Sequence, residues 1–148
     1  MNIMLDVYET LRQKQYFIDN EYLQKYCQVI ERHTRTPVRA KQTHKHHIIP
    51  KSWFKLTHNE INNELNNLVN LPYREHFLAH YYLCLCTEDP FKYANQLALM
   101  CLLSIKNKKF YDKELLTRLP LYNIIYEDYM TKLKSNYRLY DGGVADDN

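Results

Sequence analysis

Residues 43–50 read THKHHIIP, and residues 67–80 read NLVNLPYREHFLAH. The first stretch sets β-branched and apolar residues beside histidines and closes on Pro50, a pattern short enough for a strand or an extended turn. Leu68 to Leu71 forms a second short apolar run ending at Pro72. Beyond it Tyr73, Phe77, Leu78, Tyr81, Tyr82 and Leu85 recur at helical spacing, which predicts a helix through about Cys86. Between the strands Thr57, His58, Asn59, Asn62, Asn63, Asn66 and Asn67 crowd residues 52–67. Asparagine side chains compete for backbone hydrogen bonds, so a loop is expected there. The unit at 43–86 therefore reads strand–loop–strand–helix.

Outward from this unit the helical period dominates. Residues 3–17 fit an amphipathic helix, and Asp19 is placed to cap a second helix through Tyr22, Leu23, Tyr26, Val29 and Ile30 to about His33. Thr34 to Lys41 is a basic connector. Pro90 can open a helix over Phe91–Lys106, and another fits Leu119–Tyr137. The only two Gly, at 142 and 143, leave few tight turns elsewhere and favour long helices over a hairpin-rich sheet. The expected fold is α+β, mostly helical, with helices 3–33 and 90–138 flanking one small unit in a single domain over 1–140. Residues 141–148 read as a flexible acidic tail.

Composition narrows the class. With 148 residues, the chain can bury a core without disulfides. Cys27, Cys84, Cys86 and Cys101 contain no C-x-x-C pair and read as small core residues in a reducing compartment. No signal peptide or membrane span is visible, so a cytoplasmic, soluble protein is expected. Arg32, Arg35, Arg39, Lys41, Lys45, Lys51 and Lys55 flank the first strand, and a second basic stretch runs from Lys106 to Arg118. A phosphate backbone would need such charge, although a solvated surface would carry it equally well. The 14 Tyr mostly fit core edges with the hydroxyl in water.

The histidines carry the chemistry. His76 and His80, four apart on a helix, share one face, a spacing that lets two imidazoles reach one metal ion. A third ligand would come from His46 or His47, adjacent on the first strand. Neighbouring strand residues point to opposite faces, although a bulge at a strand end can turn both into one pocket. The helix is not an H-E-x-x-H site. Phe77 stands where the zinc peptidase base would be, and Glu75 points away by about 100°. His33, His44 and His58 are left without a role, His44 being the nearest spare because it shares strand parity with His46. Trp53 is expected to anchor its segment against the core.

Taken together, His46-His47-Ile48-Ile49-Pro50, Asn67-Leu68-Val69-Asn70-Leu71 and Arg74-Glu75-His76-Phe77-Leu78-Ala79-His80 resemble the HNH (ββα-metal, His-Me finger) endonuclease motif. The version is that of phage-type and mobile-element nucleases, with a histidine spacing similar to colicin-type DNases. The resemblance spans residues 43–83. It implies a metal-dependent endonuclease acting on DNA, with His47 as general base and His46, His76 and His80 as metal ligands. Asn67 would orient the base by a hydrogen bond, with Asn66 and Asn70 as competitors for that part. The chain lacks the C-x-x-C pairs that brace many relatives, so packing must do so here.

Phosphodiester hydrolysis needs an activated water and stabilised charge at phosphorus, which a neutral imidazole and one divalent ion supply. Three imidazoles favour Zn²⁺, Ni²⁺ or Mn²⁺, with Mg²⁺, which prefers oxygen ligands, as the other option. Lys45, Lys51 and Arg74 are placed for phosphate contacts, which give affinity and register without sequence information. RNA is the alternative substrate. One site per subunit means that cutting both strands takes a homodimer or two nicks. The rival reading is a non-catalytic nucleic-acid-binding module with a structural metal site.

Overall fold

The computed structural model describes residues 3–37, 43–104, 113–135 and 137, with side chains from Val7 onward. At its centre β1 (Thr43–His47) pairs antiparallel with β2 (Leu68–Pro72), His46 opposite Val69 and His47 opposite Leu68. Pro72 ends the ladder because it has no N–H to give. Its φ of −54° and ψ of 153° lead directly into α4 (Tyr73–Leu85). Hairpin and helix form a ββα unit, and seven helices with this two-stranded sheet make up the described chain. The fold is α+β and mostly helical, as expected.

The helices before the unit differ in detail from the sequence reading. α1 (Ile3–Arg12) stops short of residue 17. The chain turns at Tyr16, whose φ is 74°, and Phe17 then bridges to Thr87. α2 (Glu21–Arg35) is capped by Asn20, not Asp19: the Asn20 side-chain oxygen accepts from the amides of Tyr22 and Leu23 at 2.9 and 3.2 Å. The Asp19 carboxylate is occupied by the Tyr8 hydroxyl, at 2.7 Å. Either residue type suits a cap, and one position decides which is used.

The asparagine-rich stretch is not wholly loop. Its first part is α3 (Lys51–Leu56), with Ser52, Trp53 and Phe54 buried. Apolar burial overrides the polar composition that follows, and the helix ends before His58, whose φ is 59°. Trp53 does anchor the segment, its indole N–H donating to the Gln15 carbonyl at 2.9 Å. A 3₁₀ turn (Leu65–Asn67) then feeds β2.

After the unit come α5 (Phe91–Leu103), α6 (Lys113–Leu116) and α7 (Tyr122–Lys134). The short α6 was not foreseen. The expected flexible tail, Arg39, Lys41 and the basic residues 106–109 lie outside the described residues. Among those described, no helix is long and apolar enough to cross a membrane.

α4 explains how the core is arranged. Ala79 and Leu83 pack with Leu11, Leu23, Tyr26, Ile30, Val69 and Leu71 in one apolar cluster. Phe77, Tyr81 and Cys84 pack with Leu99, Leu116, Tyr122 and Ile125 in another. A helix buried on two sides must be apolar round most of its circumference, which is why the polar side chains of His76 and His80 within it call for explanation. Cys27, Cys84 and Cys86 are buried free thiols, as expected, and burial pushes Cys27 up to about 12. Cys101 departs from that reading and is exposed.

Candidate metal centre

Strand parity sends His44 and His46 to the face of β1 that meets α4, and His47 to the other. The pairing continues without a bulge through His47, so the two adjacent histidines are not turned into one pocket. The i, i+4 pair on α4 closes the group. The ring centroids of His46 and His76, of His46 and His80, and of His76 and His80 lie 5.0, 5.1 and 5.0 Å apart. One nitrogen from each of the three lies within 4.8 Å of the others. All three residues are buried, His46 completely.

The hydrogen bonds show which nitrogens are left over. His46 Nε2 is 2.7 Å from the Tyr26 hydroxyl, which also donates to the Ile48 carbonyl at 2.6 Å. His76 Nδ1 is 2.9 Å from His44 Nδ1. His80 has a hydrogen bond with the buried Asn95, whose own amide donates to the Phe91 carbonyl at 3.1 Å. His46 and His76 are thus each held through one nitrogen. One nitrogen of each of the three rings (His46 Nδ1, His76 Nε2, His80 Nδ1) is buried with no hydrogen-bond partner among the described residues.

A buried polar atom left unpaired costs roughly 1–3 kcal/mol, and three in one place need a reason. A divalent ion supplies one. Tetrahedral sites with metal–nitrogen bonds of about 2.1 Å use this donor set, and His46 and His76 are already oriented through their far nitrogens. The residues present fit a metal ion.

Electrostatics point the same way. Burial, then the like charge of His76, His80 and His47, holds His46 well below the ordinary imidazole range. Burial, with His80 and His44 adding to it, does the same for His76. Burial brings His80 down to about 4 against the opposing Asn95 bond. Three neutral rings near pH 7 present lone pairs, the form that binds metal.

His47 lies apart from the three. Its Nε2 is 2.7 Å from the side-chain oxygen of Asn63, an acceptor, so Nε2 carries the proton and Nδ1 keeps its lone pair. That Nδ1 is also buried without a partner. Asn63 is itself exposed, so the residue holding His47 lies at the protein surface.

Asn67 does not bond to the His47 ring, contrary to the role the motif implies. Its side chain accepts from the Ile49 amide at 2.8 Å and donates to the carbonyls of Ile49 and Asn62 at 3.2 and 3.0 Å. It fixes the backbone on the far side of His47 and ties it to the loop that carries Asn63. Asn63, Tyr26, His44 and Asn95 were not picked out by the sequence reading. Only His44 had a visible signal, its parity with His46. Of the proposed phosphate contacts, Lys45 on β1 and Arg74 in the first turn of α4 are exposed, and Lys51 at the start of α3 is half-buried.

No family model, no curated protein and no solved structure matches this chain. Fold and site define an α+β protein with three imidazoles gathered between a hairpin and the helix that follows it.

Proposed function

We propose that this chain is an HNH-type, metal-dependent endonuclease that hydrolyses DNA phosphodiester bonds, holding one divalent ion on His46, His76 and His80. The observation that carries the reading is the convergence of three buried imidazoles, each with an unpartnered nitrogen, and a fourth imidazole with an unpartnered Nδ1 at the next position of the same strand. A bound divalent ion would supply stabilisation for charge developing on the phosphate and the leaving oxygen. His47 Nδ1 takes the proton of the attacking water, and Asn63 keeps Nε2 protonated and the ring in place. Asn67 fixes the backbone between them. Lys45, Lys51 and Arg74 contact flanking phosphates and set register. The ion is Zn²⁺, Ni²⁺ or Mn²⁺ ahead of Mg²⁺, the substrate DNA ahead of RNA, and the protein cytoplasmic. Cutting both strands takes a homodimer or two successive nicks.

One observation favours the rival, a nucleic-acid-binding module with a structural ion: His46, His76 and His80 are no more than 3 % exposed and His47 is 7 % exposed. His47→Ala separates the two readings. On supercoiled plasmid with Mg²⁺, Mn²⁺, Ni²⁺ or Zn²⁺, the parent protein nicks, and the variant loses about 10²–10⁴-fold in rate, the usual share of a general base. Its ion and DNA binding stay intact. Absence of nicking by the parent protein with every metal, while it still binds both ion and DNA, would establish the rival.

A further inference from the structure

We propose that Tyr26 is the positioning residue that makes His46 meet its ion through Nδ1, by holding the opposite nitrogen in its protonated form. The inference rests on the metal-binding reading of the cluster and adds to it the donor atom and what selects it.

The argument is one of proton counting. A phenol has one proton to donate. The Tyr26 hydroxyl lies 2.6 Å from the Ile48 carbonyl, which can only accept, so the phenol proton goes there. The same oxygen lies 2.7 Å from His46 Nε2 and must act as acceptor towards it. A neutral His46 then carries its proton on Nε2 and its lone pair on Nδ1, the nitrogen that has no partner. Tyr26 is itself completely buried, and its ring stands edge-on to His46 with centroids 5.9 Å apart, so neither ring is free to rotate without opening the core. α2 thus sets the donor atom of a strand residue 20 positions further along the chain.

The two other rings lie against different partners. His76 is held at Nδ1 by His44 and presents Nε2. His80 interacts with Asn95, and its Nδ1 has no partner. Metal-bound histidines commonly donate their far N–H to a carboxylate or carbonyl. A phenol is a weaker acceptor than either, and Tyr26 can serve only because the Ile48 carbonyl fixes where its own proton points.

Long-range proton–nitrogen correlation spectra of the full ¹⁵N-labelled chain, stripped of metal and then titrated with Zn²⁺, test this directly. The metal-free protein should show His46 protonated on Nε2. Zn²⁺ should shift the His46 Nδ1 resonance and leave Nε2–H in place. In Tyr26→Phe the single tautomer should give way to a mixture, and Zn²⁺ affinity should fall about 10–100-fold, as for other residues that hold a ligand from behind. A metal-free His46 protonated on Nδ1, or coordination through Nε2, overturns the proposal. So does a folded Tyr26→Phe with unchanged tautomer and affinity. If Tyr26→Phe does not fold, the parent spectrum alone decides. Failure of the parent protein to bind Zn²⁺ would refute the metal reading instead, and the metal-free tautomer would still judge Tyr26.

Discussion

Two polar clusters among the described residues, one buried and one reaching the surface through its carboxylates, are built on opposite principles. In the first, Lys132 on α7 reaches Asp89 at 2.7 Å, Asp128 at 2.8 Å and the Gln96 side-chain oxygen at 3.2 Å. The Gln96 amide in turn donates to Asp128, and the Tyr93 backbone amide donates to Asp89. Opposite charges face one another and the ring faces of Tyr93 and Tyr137 flank the ammonium. In the second, three like imidazoles face one another and each leaves a nitrogen unpaired. The first cluster is complete with the residues it has and pins α5 to α7. The second leaves three imidazole nitrogens without a partner among the described residues, and the proposed ion would fill that gap. Polarity alone does not separate the two clusters. The sum of donors and acceptors does.

Acid should break the comparison most strongly. In the metal-free protein the three imidazoles are neutral when folded but take up protons when unfolded below about pH 6.5. Folding stability is therefore full above that pH and declines as pH falls, with the His80 share lost between the ordinary value and about 4. That share is on the order of 3 kcal/mol. The other cluster has its window elsewhere. Burial raises Asp128, but bonds from Gln96 and Lys132 outweigh it and hold the carboxyl below its usual range. Burial likewise lowers Lys132, but Asp128 and Asp89 outweigh it and hold the ammonium above its usual range. That pairing is intact between the ordinary imidazole value and about 4, the span in which the His80 share is lost. Thermal melts of chelated protein from pH 7.5 to 5 should show a steep loss that flattens in His80→Leu. Equal slopes in the two proteins would refute the assignment.

Lys132→Met should cost about 2 kcal/mol in denaturant melts, less than the roughly 3–5 kcal/mol of a fully buried broken pair because both carboxylates are partly in water. Ion affinity should not change. Metal binding that weakens along with the fold in this variant would mean that the two clusters are coupled.

Asn63→Ala gives the smallest effect. Losing the bond that orients His47 should lower the nicking rate about tenfold, or 1.4 kcal/mol, with ion affinity unchanged. A full rate in this variant would show that Asn63 does not hold the base.

The sequence made the frame of the site legible and hid its supports. The i, i+4 spacing places His76 and His80 by periodicity alone, and the choice of His46 over His47 as their companion comes from the resemblance to the HNH motif. The α+β fold follows from the helical period and from two strands ended by prolines. What escaped depends on contacts between residues far apart in sequence. Nothing local marks Tyr26 as the partner of His46, because its hydroxyl meets that ring only after α2 packs across the hairpin. Asn63 and Asn67 look interchangeable in an asparagine-rich stretch, and only the folded loop assigns one to the His47 ring and the other to the Ile49 backbone. α3 was obscured because the asparagines that follow it outnumber its three buried residues, Ser52, Trp53 and Phe54. α6 has only four residues, too few for a helical period to register.

The claim on which the rest depends is that three imidazole nitrogens hold one ion. Calorimetric titration of chelator-stripped protein with Zn²⁺ measures it, for the parent chain and for His80→Leu. One ion should bind per parent chain, and the variant should weaken binding more than about a hundredfold, beyond the range seen when only a supporting residue is lost. No binding by the parent chain, or the same affinity in both proteins, would contradict the account.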